Sequence, residues 1–311
     1  MAPMRIFKNI FPGRILAAAL ILTVWCGPGE ARELEGYSKI LWDHLEAICA
    51  LGPRPPGSAA HQKLQDYIKA VGRQYADSFR EQKFSFTGAT RPKIPLTNIE
   101  LVFNGTTRQA PLVLGAHYDT RPFADKEEDP YSSEFPIPGA NDGGSGTAVL
   151  LALAQYLHAN PPQRPVRLVF FDGEDYGFEF TNEYFLGSKY YARQLLKQDK
   201  AEWPEAVVII DMVGDKDLEI FKEKNSLKNA PRLLNVFFET ARRLKVPQFN
   251  QEVGRAVLDD HISFLKIGIP AAVLIDIHYP YWHTLADTLD KCSPESLFAV
   301  FLVVVEGMRD I

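Results

Sequence analysis

The stretch VRLVFFDGED, residues 166–175, runs from an unbroken apolar segment directly into a group of carboxylates. A short apolar run bounded by polar residues is typical of a strand that is buried on both faces. Comparable runs occur at PLVLGAHYD (111–119), AVVIIDMV (206–213) and AAVLID (271–276). Strands of this kind predict an α/β protein with a mainly parallel central sheet.

Segments with the apolar spacing of helices alternate with these strands. A further strand is predicted at LTNIELVF (96–103). The predicted helices cover 38–50, 58–77, 143–158, 184–197, 230–244 and 295–309, with a short helix that begins at 260.

The first 31 residues have the pattern of an export signal, in which basic residues precede an apolar stretch (15–25) that is too short to span a bilayer. We expect cleavage after Ala31 and a periplasmic or secreted protein that has no membrane association once the signal is removed. A lipoprotein attached through Cys26, or a retained membrane anchor, is the alternative. Residues 32–311 are expected to form a single globular domain.

Charge and cysteine content narrow the function classes. The net charge of -5 and the scattered basic residues argue against nucleic-acid binding. Cys49 and Cys292 remain after signal removal. They either pair in an oxidising compartment or stay as two buried thiols.

Polar residues lie where the predicted strands end, which is the edge at which α/β sheets bind ligands. They are His117, Asp119, Asp172, Glu174, Asp175 and Asp211, and loops add Asp142 and His283. Singly, each has a structural explanation: Asp142 alone is better explained as a helix cap, His117 as a core histidine, and Glu174 with Asp175 as a solvated turn. Several acids buried together without a cation are costly, so the set predicts a metal site.

The types of ligand in this set select the metal. Imidazoles and carboxylates without cysteine suit zinc in a catalytic site, where three protein ligands leave one position open. A neighbouring carboxylate that is not a ligand can move protons. Because successive side chains diverge, one of Glu174 and Asp175 can face the ion while the other faces the reacting group. Asp172 is expected to support the turn.

Seven stretches, in order, resemble the motifs of the zinc aminopeptidase superfamily that also contains the glutaminyl cyclases. The resemblance spans roughly residues 35–310 and implies a three-layer αβα sandwich of the phosphorylase/hydrolase-like, zinc exopeptidase type with a mainly parallel mixed sheet. The stretches are RPPGS (54–58), HYDT (117–120), PGANDGGSG (138–146), FFDGED (170–175), IDMVG (210–214), DDHISFL (259–265) and YWHT (281–284).

The resemblance implies a role for each matching residue. Asp142, Asp175 and His283 are similar to the three ligands of the shared zinc, and Glu174 is similar to the general acid/base. Asp175 stands where the family usually has Glu, and its shorter side chain predicts a changed geometry without loss of the metal.

His117 and Asp211 match the remaining ligands of the second zinc in the peptidases. In the cyclases the same two positions persist around a single zinc. The presence of these two residues therefore does not determine the number of metal ions. We expect one zinc ion and keep two as the alternative. Asp119 would orient His117 from outside the set of ligands.

Several features resemble the cyclases more than the peptidases. An aromatic-rich segment (176–192) follows the acidic pair, Trp282 resembles the wall of a cyclase pocket, and Asp259 resembles the carboxylate that holds the α-nitrogen of the substrate. Phe180 is a second predicted substrate-binding residue, although the animal enzymes have Trp there. The NDGGSG loop is closer to ordinary peptidases, and plain packing would also account for either aromatic residue taken singly.

The predicted function is a zinc-dependent glutaminyl-peptide cyclotransferase, which converts N-terminal glutamine to pyroglutamate with release of ammonia. Glu174, Asp211 and Asp259 are the expected catalytic residues, and the expected partners are peptides with a free N-terminus that meet a monomeric enzyme. An exported zinc aminopeptidase is the alternative. A binding domain that kept the fold without activity is a third hypothesis.

Overall fold

A computed structural model of the protein describes residues 28–88, 93–178 and 181–311. The strands are β1 (Ser78–Phe86), β2 (Ile94–Phe103), β3 (Leu112–His117), β4 (Val166–Phe171), β5 (Ala206–Asp211), β6 (Ile220–Lys222), β7 (Phe249–Val253) and β8 (Ala271–Ile275). The helices are α1 (Pro28–Cys49), α2 (Ala59–Tyr75), α3 (Ser145–Ala159), α4 (Leu186–Leu195), α5 (Lys224–Asn229), α6 (Pro231–Leu244), α7 (His261–Leu265) and α8 (Pro294–Gly307).

Six strands form the central sheet in the order β1-β2-β4-β3-β5-β8. The four strands β4, β3, β5 and β8 are parallel to one another, whereas β1 and β2 are antiparallel to their neighbours. Strands β6 and β7 form a separate parallel pair. The prediction of a mixed, mainly parallel sheet is confirmed.

Successive residues of the central strands pack into different cores because side chains alternate across a sheet. Leu114 of β3 joins a core that contains Leu41 of α1, Leu150 of α3 and Phe301 of α8. Val113 joins a second core on the opposite face, which contains residues of α4 and α7. Helices therefore cover both faces, and the predicted three-layer αβα class is confirmed.

The structure corrects the predicted elements at several points. The predicted strands and helices are all present, and most of them have shifted ends, but β1, β6, β7 and α5 were not predicted. In β1 the sequence SFREQKFSF leaves most side chains exposed or half-buried, because β1 is an edge strand. Such a strand lacks the continuous apolar run that marks the central strands.

The predicted export signal falls mostly on residues 1–27, which lie outside the described residues, so export stays a prediction. Among the described residues, no helix combines the length and the apolar character that crossing a bilayer requires. Cys49 and Cys292, for which pairing was left open, are both free thiols.

The register of the parallel strands brings their carboxyl ends to the same level. His117 of β3 pairs with Phe171 of β4, so the FFDGED turn begins beside the end of β3. Gly115 pairs with Ile209, which sets His117 level with Asp211 at the end of β5. The sheet thus places the predicted site residues at one edge.

Candidate metal centre

One group of potential ligands lies across the ends of β3 and β5. Nε2 of His117 is 3.1 Å from Oδ1 of Asp211 and 3.1 Å from Oδ1 of Asp142. The loop before α3 brings Asp142 over the edge of the sheet. These three residues offer one ligand atom each at mutual distances that suit a metal ion.

A second group of potential ligands contains Asp142, Asp175 and His283. Nε2 of His283 is 3.3 Å from Oδ1 of Asp175 and 3.7 Å from Oδ2 of Asp142. All three residues are buried. Because Asp142 presents one oxygen to each group, it lies between the two candidate metal positions.

The helix-cap explanation of Asp142 is wrong. Helix α3 begins at Ser145, and its N-cap position is Gly144, with no side-chain capping bond. Gly143 has a φ of 79°, and a Cβ there would lie 2.3 Å from the carbonyl oxygen of Asp119. The glycines of NDGGSG therefore let this loop pass close to the strand ends, so that Asp142 faces the two histidines.

Two buried carboxylates hold the backbone next to the candidate ligands. Asp119 accepts the backbone N–H groups of Glu174 and Asp175 at 3.1 and 3.2 Å. Asp287 accepts those of Asn141 and Asp142 at 2.9 and 3.1 Å. Asp119 thus holds the backbone at Asp175, and Asp287 holds it at Asp142. Both of the residues held in this way are candidate ligands.

The side chains of Asp119 and His117 are too far apart for an ordinary hydrogen bond. Oδ1 of Asp119 lies 3.6 Å from Nδ1 of His117, which is beyond ordinary hydrogen-bond length. The orienting role predicted for Asp119 toward His117 stays a prediction, and its observed hydrogen bonds go to the FFDGED turn.

His283 is held by residues that the sequence analysis did not identify. Its Nδ1 lies 2.9 Å from Oδ1 of Asp125, and Arg121 binds both oxygens of Asp125 at 2.8 Å. Arg121 also donates to Oδ1 of Asp175 at 2.7 Å. His283 has a φ of 59°, an uncommon conformation that such surroundings maintain.

The acidic side chains around His283 and His117 raise the pKa values of both histidines. Burial alone would lower the pKa of His283, but the carboxylates of Asp175, Asp125 and Asp142 raise it to about 9. The pKa of His117 rises well above its usual value, against burial, because Asp211, Asp119 and Asp142 surround it. Protons thus supply the positive charge that these acids require.

The donor set fits zinc. Among the described residues, Oδ2 of Asp142 and Oδ2 of Asp175 are buried without a hydrogen-bond partner. Unpaired buried carboxylate oxygens are costly, and a metal ion would satisfy both. Two carboxylates with one imidazole, and no thiolate, match the ligand types of catalytic zinc sites.

Glu174 lies beside the ligands without belonging to either group. Its Oε2 is 3.9 Å from Nδ1 of His117, and its side chain is 13% exposed. Burial raises the pKa of Glu174 well above its ordinary value, and the nearby Asp175 and Asp260 add to this effect, although His117 opposes it. A buried carboxyl group with a raised pKa can hold a proton that an ordinary glutamate would release, which suits it to proton transfer.

A cavity of about 480 Å³ opens over the two ligand groups. Its lining includes Glu174, Asp259 and Trp282, so the predicted proton carrier, amine-binding acid and aromatic wall share one space. Trp282 is 36% exposed, and its ring centroid lies 3.9 Å from that of His283. Phe180, the other predicted pocket residue, lies outside the described residues.

Asp259 is 2% exposed, and among the described residues its Oδ2 has no hydrogen-bond partner. Burial, with Asp211 nearby, raises its pKa to about 7. A buried carboxylate with a free oxygen is suited to bind an amine.

Two further polar residues support the loops beneath the site. Asp172 is fully buried and accepts hydrogen bonds from Thr97 N–H at 2.6 Å and Tyr118 Oη at 2.7 Å, and it lies 2.8 Å from Nε2 of His61. This agrees with the expected support of the turn. Arg54, in the RPPGS motif, donates to the carbonyl oxygens of 138 and 139, which explains why that motif accompanies PGANDGGSG.

Sequence reasoning missed Arg121, Asp125 and Asp287. Arg121 and Asp125 follow HYDT directly, in the segment RPFAD (121–125), and an arginine four residues before an acid, next to a motif, was the available signal. Asp287 lies in a loop with no motif of its own, so no signal marked it.

Comparison with known proteins places the chain in a family. The model of peptidase family M28 matches residues 98–308, and the protein belongs to this family. The chain is 27% identical over 289 residues to a glutaminyl-peptide cyclotransferase-like protein of Mus musculus, covering 82% of this chain and 73% of that protein. The predicted relationship is confirmed.

Solved structures show the same fold. A glutaminyl cyclase of Tannerella forsythia superimposes with a TM-score of 0.81 at 30% identity, covering 88% of this chain and 98% of that one. A Zn-dependent exopeptidase of Parabacteroides distasonis does so with a TM-score of 0.82 at 28% identity, with the same coverage of 88% and 98%. Both branches of the predicted superfamily are therefore similar to this chain.

Proposed function

We propose that the protein is a zinc-dependent glutaminyl-peptide cyclotransferase that acts on peptides with N-terminal glutamine. The observation that carries this proposal is the buried Asp259, whose free Oδ2 lies in the same cavity as Glu174 and the candidate ligands. This arrangement offers an acid that binds the α-amine beside a second acid that can remove its proton.

Asp142, Asp175 and His283 would hold one zinc ion. When bound, zinc supplies a Lewis acid that polarises the γ-carboxamide carbonyl of the substrate. His117 and Asp211 then remain as neighbours of the site.

The side chains of the protein carry the proton transfers in this proposal. Asp259 orients the α-amine, and Glu174 takes a proton from it as the nitrogen bonds to Cδ, the carbonyl carbon of the side-chain carboxamide. Glu174 then returns the proton to the amide nitrogen, which leaves as ammonia when its bond to Cδ breaks. Trp282 would cover one side of the substrate and exclude water, and Asp211 would support Asp259.

An exported aminopeptidase is the second candidate, and one observation favours it. The group of His117, Asp142 and Asp211 is complete and has the spacing of a second metal site. With two ions, Glu174 would activate water for hydrolysis of the first peptide bond. Zinc-to-protein ratios of the wild type and of His117→Ala test this candidate: a ratio of two that falls to one in the variant would support it.

Product analysis tests the proposed activity itself. Purified protein is incubated with one peptide that begins with Gln and one that begins with Leu, and the products are identified by mass spectrometry. Loss of ammonia with the chain otherwise intact supports the cyclotransferase. Release of the first residue from either peptide supports the aminopeptidase. Export and a monomeric state remain part of the proposal.

A further inference from the structure

The charge of the side chains that line the cavity over the metal centre changes along its length. At the buried end its lining is acidic, with Glu174, Asp211 and Asp259. Three lysines line the same cavity. Lys126 lies over the ring of Trp282. The other two, Lys189 and Lys266, lie in or next to helices α4 and α7, and Lys266 is exposed. The cavity therefore leads from a buried acidic end to a basic entrance.

The two lysines are held by helices that pack against each other. Ser188 of α4 and Ser263 of α7 lie 2.9 Å apart through their hydroxyl oxygens, and this contact is buried. The rings of Tyr191 and Phe264 add an edge contact between the same helices. Lys189 follows Ser188 directly and Lys266 lies one helical turn after Ser263, so the scaffold fixes the relative position of their stems.

Neither lysine is neutralised in the part of the chain that the structure describes. The lysine ion pairs found there involve other lysines. Nζ of Lys189 donates to the carbonyl oxygen of Asn182 at 3.0 Å and lies over the ring of Phe185. Burial, and then the charges of Lys266 and Arg193, lower the pKa of Lys189, although Asp260 and Glu174 oppose this effect. A bound anion would offset the repulsion between the two lysines.

We propose that Lys189 and Lys266 form a subsite for an acidic side chain at the second or third position of the substrate. The preferred substrates are then peptides in which Asp or Glu closely follows the N-terminal residue. Such a peptide has its amine at the acids and its carboxylate at the lysines, which matches the charge along the cavity. This inference rests on the proposed function only in placing a free N-terminus at the buried end.

Peptide binding tests the subsite independently of turnover. Isothermal titration of the zinc-loaded Glu174→Gln protein compares Gln-Glu-Ala-Ala with Gln-Gln-Ala-Ala, and Gln-Ala-Glu-Ala with Gln-Ala-Gln-Ala. The two peptides of each pair differ by a single negative charge and have nearly the same shape. We expect the acidic member of at least one pair to bind about three- to tenfold more tightly at low salt, and this preference to shrink as salt is added.

Variants then assign the preference to the two lysines. In Lys189→Met/Lys266→Met the preference should disappear, and in Lys266→Glu it should reverse. Lys197→Met removes a lysine just beyond α4 that does not line the cavity, and should keep the full preference. Equal affinity within both pairs, no binding of any of the peptides, or a preference that survives the double variant, would overturn the subsite.

The same peptides keep this proposal separate from the proposed function. If the wild type cleaves the first residue instead of cyclising it, the function fails while the charge preference can still hold. If it cyclises acidic and neutral peptides with equal affinity and rate, the function stands and the subsite fails.

Discussion

Arg121 donates a hydrogen bond of 2.7 Å from Nη1 to Oδ1 of Asp175, and the arginine side chain is fully buried. The same guanidinium holds Asp125, which contacts His283. One arginine therefore positions two of the three proposed zinc ligands. It also leaves Oδ2 of Asp175 as the oxygen without a partner.

Arg121→Met should weaken both the fold and the metal site. Removing one partner of a buried ion pair leaves an uncompensated charge, which costs about 3–5 kcal/mol. Loss of a residue that orients ligands typically lowers metal affinity by about 10- to 100-fold. Denaturant unfolding of the zinc-free protein and competitive zinc titration measure the two effects. Arg73→Met, at the end of α2 and outside the cavity, is the control. Wild-type stability and affinity in Arg121→Met would remove the positioning role.

Glu174→Gln should keep the fold and the zinc but lose turnover by about two orders of magnitude or more, because the amide cannot carry the proton. Steady-state assays with a Gln-initiated peptide, together with zinc analysis, check this expectation. Glu128→Gln alters an exposed glutamate and serves as the matched control. Undiminished turnover in Glu174→Gln would assign proton transfer to another residue.

His283→Ala should lower zinc affinity by more than the roughly 100-fold that loss of an orienting residue costs, because it removes a proposed ligand outright. His158→Ala changes an exposed histidine of α3 and should bind zinc like the wild type. Competitive titration against a chromogenic chelator compares the two variants. Equal affinities would show that the ion is held elsewhere.

The zinc-free protein should lose stability as the pH rises from about 6.5 to about 9. The pKa of His283 is raised to about 9 in the folded protein, against an unfolded value of about 6.5, so its stabilisation is complete below pH 6.5 and is lost as the pH passes 9. Asp259 acts in the same direction at lower pH, because burial raises its pKa to about 7 from an unfolded value of about 3.9, and its stabilisation is lost between these two values.

Thermal unfolding of chelator-treated protein across this pH range measures the effect. The midpoint should fall with pH in the wild type and fall less in His283→Ala, which lacks one of the groups whose pKa is raised in the folded protein. A midpoint that rises with pH in the wild type would contradict the charge balance inferred for the site.

Much of the fold followed from the apolar strands, because a strand buried on both faces cannot alternate polar and apolar residues. The run VRLVFF occupies β4 with the bounds that the sequence suggested. The edge strand β1 could not be found in this way, since its polar residues face solvent. Its place depends on pairing with β2, which is a long-range property.

Residue type and position at strand ends predicted that polar side chains would gather at this edge of the sheet, and the family resemblance indicated which of them would be ligands. The residues that position these ligands could not be predicted from the sequence. Asp287 contacts Asn141 and Asp142 across more than a hundred residues, and no local pattern encodes such a contact. The cap explanation of Asp142 failed for a related reason, since the bend of the glycine loop aims this side chain away from the helix.

In the proposed reaction the substrate's own amine attacks its side-chain carbonyl. A peptide that begins with glutamine labelled with ¹⁵N in the side-chain amide tests this step directly. We expect labelled ammonia and an otherwise intact peptide with an N-terminal pyroglutamate. Release of free glutamine that still carries the label, with a peptide shortened by one residue, would contradict it.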